Sequence, residues 1–261
     1  MIPLSPLEER NGKMESTHSA MSVGANTLCV QQGIRSPMNQ FEIQVPRHLA
    51  EWARHSLESG ENILTRSNQG TLLHFRDSGV EFLVKTAMGT GPVRGAREAT
   101  LQREHHAYQR MEGLAGIPRC YGLVEGQFLV LEYVHGSPFR DADFDDRGAW
   151  FEHLLRIIRS FHDRGVAHGD LKSKSNLLVT IGQEPCVLDF GTTVMRKRGW
   201  RPVNNALFEY CRQLDLNAWV KHKYHGRYED ASVEDARLLD YGRFESMLRR
   251  YRAWKKRRRQ A

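Results

Sequence analysis

The stretch Val166-Ala-His-Gly-Asp-Leu-Lys-Ser-Lys-Ser-Asn176, followed by Val187-Leu-Asp-Phe-Gly191, constrains this chain more than any other feature. Asn176-Leu-Leu-Val-Thr180 and Pro185-Cys-Val-Leu-Asp189 read as two short strands around an Ile-Gly-Gln-Glu turn, so the fold must contain a hairpin with Asn176 at one end and Asp189 at the other. Asp170 lies on the loop before the hairpin, with Lys172 two residues on. Phosphoryl transfer from Mg-ATP needs these four groups. Asp170 can orient and deprotonate an acceptor hydroxyl, and Lys172 can offset charge on the moving phosphoryl group. Asn176 and Asp189 can hold the Mg²⁺ ions that bridge the phosphates. Neither half is specific alone; in this order, nineteen residues apart from Asp170 to Asp189, they form a strong signal.

The combination resembles the protein-kinase-like superfamily, which implies an α+β, bilobal fold with a small β-rich N-terminal lobe and a truncated helical C-terminal lobe. The resemblance covers roughly residues 60–225. It implies ATP and Mg²⁺ as cofactors, an upstream strand lysine that holds the α/β-phosphates, and a helical glutamate that holds the lysine. Val80-Glu-Phe-Leu-Val-Lys-Thr86 alternates like a half-buried strand and places Lys85 near its end. Residues 96–114 read as a helix with Leu101, His105, Tyr108 and Met111 on one side, stopped by Gly113 and Gly116-Ile-Pro118. Glu104 on this helix is the expected partner of Lys85; Glu98 competes but sits in the first turn, where an acid is favoured by the helix dipole anyway.

Gln127-Phe-Leu-Val-Leu-Glu-Tyr-Val-His-Gly136 resembles the kinase hinge, which implies that main-chain groups of Glu132 and Val134 meet the adenine edge and that Leu131 is the gatekeeper. Leu154, Leu155, Ile157, Ile158 and Phe161 give residues 150–164 a helical apolar face leading into the catalytic loop. Gln213-Leu-Asp-Leu-Asn-Ala-Trp219 opens a further helix, in which Asp215 either caps the catalytic-loop backbone, as a buried Asp does in kinases, or is an ordinary helix N-terminal Asp. His168 braces the loop, and proton acceptance belongs to Asp170. The chain is expected to divide into an extension over 1–44, an N-terminal lobe with an accessory helix over 45–128, a hinge over 129–136, a C-terminal lobe over 137–241 and a basic end over 242–261. The accessory helix is expected over 46–57, using Leu49, Trp52 and Ala53, with Pro46 at its first turn.

The pattern also departs from the family. Gly169 stands where regulated eukaryotic protein kinases carry arginine. Asn176 follows Asp170 by six residues rather than the usual five, so its metal role needs a one-residue bulge, with Ser175 in the usual place. The Gly-rich loop is reduced to Ser67-Asn-Gln-Gly-Thr71, in which Gly70 is the candidate for a tight turn above the phosphates. After Gly191 there is no Ala-Pro-Glu, and about seventy residues follow, which is short for the set of peptide-docking helices. His-Gly-Asp-Leu and this short remainder resemble RIO kinases and the bacterial lipopolysaccharide core (Kdo and heptose) kinases. The acceptor implied is therefore a protein Ser/Thr, or a core sugar at the inner membrane face; a pseudokinase binding module is the third reading.

The chain has 261 residues and a net charge of +7, and eight Lys/Arg with no acid fall in 249–259, so the remainder is near neutral. Met247, Tyr251 and Trp254 would give that end an apolar stripe on a helix, suiting an anionic membrane surface at about 1 kcal/mol per basic residue. RNA is the rival ligand, and a solvated basic tail the bland reading. Arg196-Lys-Arg198 and Arg201 add a basic rim past the Asp-Phe-Gly turn. No apolar run approaches the eighteen or so residues of a spanning helix, and the first ten residues lack the basic start and apolar core of a signal peptide. Four scattered cysteines (Cys29, Cys120, Cys186, Cys211) suit reduced thiols in a cytoplasmic protein. The twelve histidines show no metal-ligand spacing, including His105-His106 and His222-x-x-His225.

Overall fold

Alternation along one strand decides which face of a sheet carries the chemistry. In β3 (Val80–Ala87) Phe82 and Val84 are fully buried on one side, which turns Leu83 and Lys85 to the other. Cross-strand register keeps this sorting: β2 (Gly70–Asp77) sets Leu73 against Val84 and Phe75 against Phe82, and β5 (Phe128–Glu132) sets Val130 against Val84 and Leu129 against Lys85. With β1 (Ile63–Arg66) and β4 (Cys120–Val124) these strands form a five-stranded antiparallel sheet in the order β1-β2-β3-β5-β4. The computed structural model describes residues 44–66, 70–87 and 91–240, a mixed α+β fold. Most of the 1–44 extension, residues 67–69 of the reduced Gly-rich loop and the basic end with Arg249 to Arg259 lie outside the described residues.

Each sheet face is covered by a different helix. Leu49, Ala50 and Ala53 of α1 (Leu49–Ser59) pack on Leu73, Phe75, Phe82, Val84, Phe128 and Val130, and Trp52 meets the Phe75 ring edge-on at 4.8 Å. The helix expected over 46–57 forms over 49–59, on the Leu49, Trp52 and Ala53 face read from the sequence but with Pro46 before its first turn rather than in it. It starts just after Pro46, whose carbonyl accepts from Leu49 N–H, and stops at Gly60 in a left-handed conformation, φ 80°.

The opposite face belongs to α2 (Gly91–Arg110). It begins before and ends before the 96–114 span expected from periodicity; residues 111–114 continue only as a turn. Leu101, Tyr108 and Met111 are buried as read in the sequence, but His105 is only half-buried and Glu104 and Ala107 take its place on the buried side.

The larger core forms around α3 (Arg147–Asp163), whose Asp146 N-cap accepts from Ala149 N–H at 2.9 Å. Trp150, Phe151, Leu154, Leu155, Ile157, Ile158 and Phe161 are all buried there. Residue 139 follows a short strand, β6 (Gly136–Pro138), which pairs with β8 (Leu177–Thr180); β8 pairs in turn with β9 (Pro185–Val187). A Cβ on Gly136 would stand 2.2 Å from the Val179 carbonyl oxygen, so the close crossing of β6 and β8 requires glycine. A two-residue ladder joins β7 (Val166–Ala167) to β10 (Val194–Met195).

The long α4 (Pro202–Lys223) corrects the sequence reading: it starts at Pro202 rather than near Gln213, because proline is pre-organised for the first helical turn. Asp215 therefore lies in mid-helix and is not a helix N-terminal residue. A short α5 (Val233–Ala236) closes the described fold. Among the described residues no helix is long and apolar enough to cross a membrane. Cys186 is buried in β9, and burial raises its thiol to about 12 and that of half-buried Cys120 to about 11, which leaves both unreactive near neutral pH. Phe75→Ala, which empties the centre of the α1–sheet core, is expected to lower unfolding free energy by about 3–5 kcal/mol, read by urea denaturation.

Candidate functional site

Lys85 reaches from β3 to α2 and to the Asp-Phe-Gly turn at once. Its Nζ lies 2.7 Å from Glu104 Oε2 and 2.7 Å from Asp189 Oδ1. Glu104 is 1% exposed, whereas Glu98 is half-buried at the side chain and pairs with Arg94 instead, so the choice between the two glutamates falls on Glu104. Burial opposes the Lys85 charge, but the two carboxylates overcome it and hold its pKa above the ordinary lysine value. Burial raises Glu104, against the pull of Lys85. Burial also opposes ionisation of Asp189, yet Lys85 and the Gly191 N–H bring that carboxyl below its ordinary value. A lysine between two acids leaves the cluster with one net negative charge.

The Asp-Phe-Gly turn is shaped for this contact. Asp189 has φ 59° and ψ 75°, a left-handed conformation that few non-glycine residues adopt. A Cβ on Gly191 would lie 3.2 Å from Asp189 Oδ1, 3.5 Å from Glu104 Oε2 and 3.7 Å from Lys85 Nζ, so glycine keeps a methyl out of the ion-pair cluster. Phe190 is fully buried between Tyr108, Phe161 and His168 and anchors the turn to α2 and α3.

The 168–176 loop has little regular structure, and side chains satisfy its backbone. Asp215, fully buried, accepts from the N–H of His168 and of Gly169, each at 2.8 Å, and from His162 Nε2 at 3.0 Å. It caps the loop, as one of the two sequence readings expected. His168 is also fully buried; its Nε2–H donates to the Leu188 carbonyl at 2.9 Å, which leaves Nδ1 to accept from Asp170 N–H at 3.2 Å. With both nitrogens committed it braces the loop. Gly169 has φ 80°, so glycine suits the position on backbone grounds.

Asp170 is half-buried and Lys172 is exposed two residues later, across a turn closed by Ser173 N–H on the Asp170 carbonyl at 3.2 Å. The extra residue before Asn176 is absorbed by a 3-10 turn, Lys174–Asn176. Asn176 turns inward, 6% exposed, and its Nδ2 donates to the Asp170 carbonyl at 3.0 Å; Ser175 stays exposed. Leu188 N–H donates to the Asn176 carbonyl at 2.9 Å, so Asn176 and Asp189 sit one residue out of step across the mouth of the β8–β9 hairpin. One side-chain oxygen from each is a donor set suited to Mg²⁺, which keeps most of its remaining positions for water and phosphate. Among the described residues no group of three or more His, Cys, Asp or Glu could hold a metal by itself.

Of the remaining expected residues, Gly70 and Glu132 lie on the same sheet and Val134 follows it. Gly70 begins β2 opposite Ala87, where a Cβ would meet the Thr86 carbonyl oxygen at 2.3 Å; a close strand crossing requires the glycine here. Glu132 ends β5, its N–H on the Arg119 carbonyl at 2.8 Å and its carboxylate accepting from Arg119 N–H at 2.9 Å. Val134 follows in extended chain and makes no main-chain hydrogen bond among the described residues. Fully buried Leu129 pairs with Lys85, and Leu131 is buried beside it.

Two positioning residues escaped the sequence reading. His162 supports Asp215, and His222 of α4 donates from Nε2 to the Leu171 carbonyl at 2.9 Å inside the core. Spacing carries the missed signal: Asp215 and His222 are seven residues apart, hence on one helix face. No protein-family model matches the chain. Burial depresses the His222 imidazole to about 4, with Lys221, Lys174 and Arg147 adding to the effect. Because its folded pKa lies below the unfolded 6.5, the unfolded state binds more protons between pH 4 and 6.5, so this stabilisation is complete above 6.5 and lost as pH falls toward 4. His222→Gln is expected to flatten unfolding free energy across that window by about 3 kcal/mol, measured by denaturant titrations at stepped pH.

Proposed function

We propose that this chain is a bilobal, protein-kinase-like enzyme that transfers the γ-phosphoryl group of Mg-ATP to a hydroxyl, with a protein Ser/Thr as acceptor in the manner of RIO-type kinases. The observation that carries the reading is the contact of Lys85 with both Glu104 and Asp189 at 2.7 Å, joining a strand, a helix and the Asp-Phe-Gly turn at one point. In this reading the sheet with α1 and α2 is the smaller lobe, the α3–α4 core the larger, and residues 129–136 the hinge. Lys85 binds the α/β-phosphates, and the main-chain groups of Glu132 and Val134 face the adenine edge. Asn176 and Asp189 would hold Mg²⁺, whose charge offsets that of the phosphates. Asp170 orients the acceptor hydroxyl and takes its proton as the new O–P bond forms and ADP departs; exposed Lys172 faces the transferring group.

A second reading, a core-sugar acceptor on a glycolipid, draws support from one surface. Trp200 and Val203 are 88% and 82% exposed, and Leu207 and Tyr210 continue the same stripe along α4. Arg201 sits among them, an amphipathic arrangement suited to an interface.

Incubating the protein with γ-labelled Mg-ATP and fractionated host extract tests both. Label on polypeptide supports the first reading, and label in glycolipid the second. Asp170→Ala is expected to reduce transfer by about 10³-fold or more while sparing nucleotide affinity; retained turnover overturns its role. Asp189→Ala is expected to abolish the Mg²⁺-dependent part of ATP binding, seen by calorimetry with and without the metal.

A further inference from the structure

A cavity of about 510 Å³ opens where the end of α2, the turn after α3 and the segment after β10 meet. Its wall holds Arg110, Arg164, Arg196, Lys197 and Arg198 against a single acid, Asp163. Neither Lys85, Glu104, Asp170 nor Asp189 lines it. Among the described residues none of the five cations forms an ion pair. Five cations against one acid leave the concavity a net charge of +4, and like charges gathered there repel each other unless an anion joins them.

The guanidinium groups are also pre-set. Arg110 Nη1 donates to the Arg196 carbonyl at 2.8 Å and the Gly165 carbonyl at 3.3 Å; Arg164 Nη1 donates to the carbonyls of Arg110 and Glu112 at 3.2 and 3.4 Å. Each arginine has five N–H donors, so these bonds fix its direction and leave others for a ligand. Gly165, at φ 71°, keeps the floor clear: a Cβ there would stand 3.3 Å from Arg196 Cβ and 3.6 Å from Arg110 Nη1. Arg196 is steadied by the Phe208 ring, 5.8 Å from its guanidinium carbon.

We infer that this cavity is a binding site for a phosphate-bearing anion with more than one phosphate group, held by Arg110, Arg164 and the Arg196-Lys-Arg198 run. Arginine forks match phosphate oxygens in pairs. The volume falls in the range of roughly 300–1,000 Å³ usual for ligand pockets and exceeds what a single phosphate needs. The site stands independently of the proposed reaction. Because Arg110 shares α2 with Glu104, and Arg196 follows Asp189 by seven residues, an anion here ties together the elements that carry the Lys85 cluster.

The test is calorimetric titration of the full chain with inorganic tripolyphosphate in the absence of divalent cations. Wild type and Lys85→Met are expected to bind alike, and Arg196→Gln/Lys197→Gln/Arg198→Gln about tenfold or more weakly, with thermal melting reporting its fold. No binding by wild type, binding lost only with Lys85→Met, or unchanged binding by the triple variant overturns the site. Should the triple variant not fold, Arg198→Glu, on an exposed side chain with no hydrogen bond among the described residues, replaces it and must weaken binding several-fold or the inference fails. Sedimentation with phosphatidylcholine vesicles, with and without cardiolipin, whose headgroup carries two phosphates, separates the sources. Pelleting that the anionic lipid induces and the triple variant loses assigns the phosphate to a lipid headgroup. Tripolyphosphate binding without such pelleting assigns it to a soluble ligand.

Discussion

One buried carboxylate holds the loop on which the site depends. Residues 168–170 leave α3 and β7 with backbone N–H groups that no strand or helix satisfies, and a buried unpaired N–H costs about 1–3 kcal/mol. Asp215 accepts two of them and is itself supported by His162. From one helix face it fixes the loop at one end, while His222 holds the Leu171 carbonyl. Trp219, between them on that face, donates its indole N–H to the Phe151 carbonyl at 2.7 Å and ties the same helix to α3. The position of Asp170 is thus set by α4 rather than by the loop's own conformational preference.

The second constraint is the parity of β3. A one-residue slip would carry Lys85 to the α1 side, among Phe75 and Val130, and leave Glu104 buried without a cation. Removing one partner of a buried pair leaves an uncompensated charge, which costs more than the pair contributes. The register with β2 and β5 guards against the slip, because Val84 and Phe82 would lose their own core at the same time. What remains after Lys85 is shared by two acids is a net negative centre, with Asp189 open to solvent on one side at 43% side-chain exposure. That polarity fits a cation arriving with an anionic ligand, as the proposed phosphoryl transfer requires.

Sequence periodicity resolved the elements whose neighbours are local. The alternation of β3, the apolar face of α3 and the hairpin between Asn176 and Asp189 all depend on residues within a few positions of one another, and each lies where spacing placed it. Glu104 was favoured over Glu98 for a reason the fold does not bear out: α2 begins at Gly91, so Glu98 lies past the first turn, and it is the burial of Glu104 against the pairing of Glu98 with Arg94 that separates them. The start of α4 was not legible: from Val203 to Tyr210 only Phe208 is buried while Val203, Leu207 and Tyr210 face solvent, so periodicity marks no core. The loss of Asp215 from the helix N-terminus and the roles of His162 and His222 follow from that one misplaced boundary. Gly70 was read as a turn former, and Gly136 only as the end of the hinge-like segment. Their reason is tertiary, a carbonyl oxygen of the neighbouring strand within 2.3 Å of where a Cβ would stand, and no single-strand pattern reveals it.

The departures from the family pattern share a physical consequence. With glycine at 169 in a left-handed conformation, the loop offers no arginine of its own, and positive charge gathers instead at Arg110, Arg164 and the run after β10. These side chains are braced by carbonyls from two other segments, Arg196 N–H itself donating to the Gly165 carbonyl at 2.8 Å. Neutralising that cluster relieves repulsion between α2, the turn before the 168–176 loop and the chain beyond Asp189. A charge that binds there therefore acts on the alignment of Glu104, Asp170 and Asp189 without touching any of them, because each sits on an element whose other end lines the cavity or adjoins it.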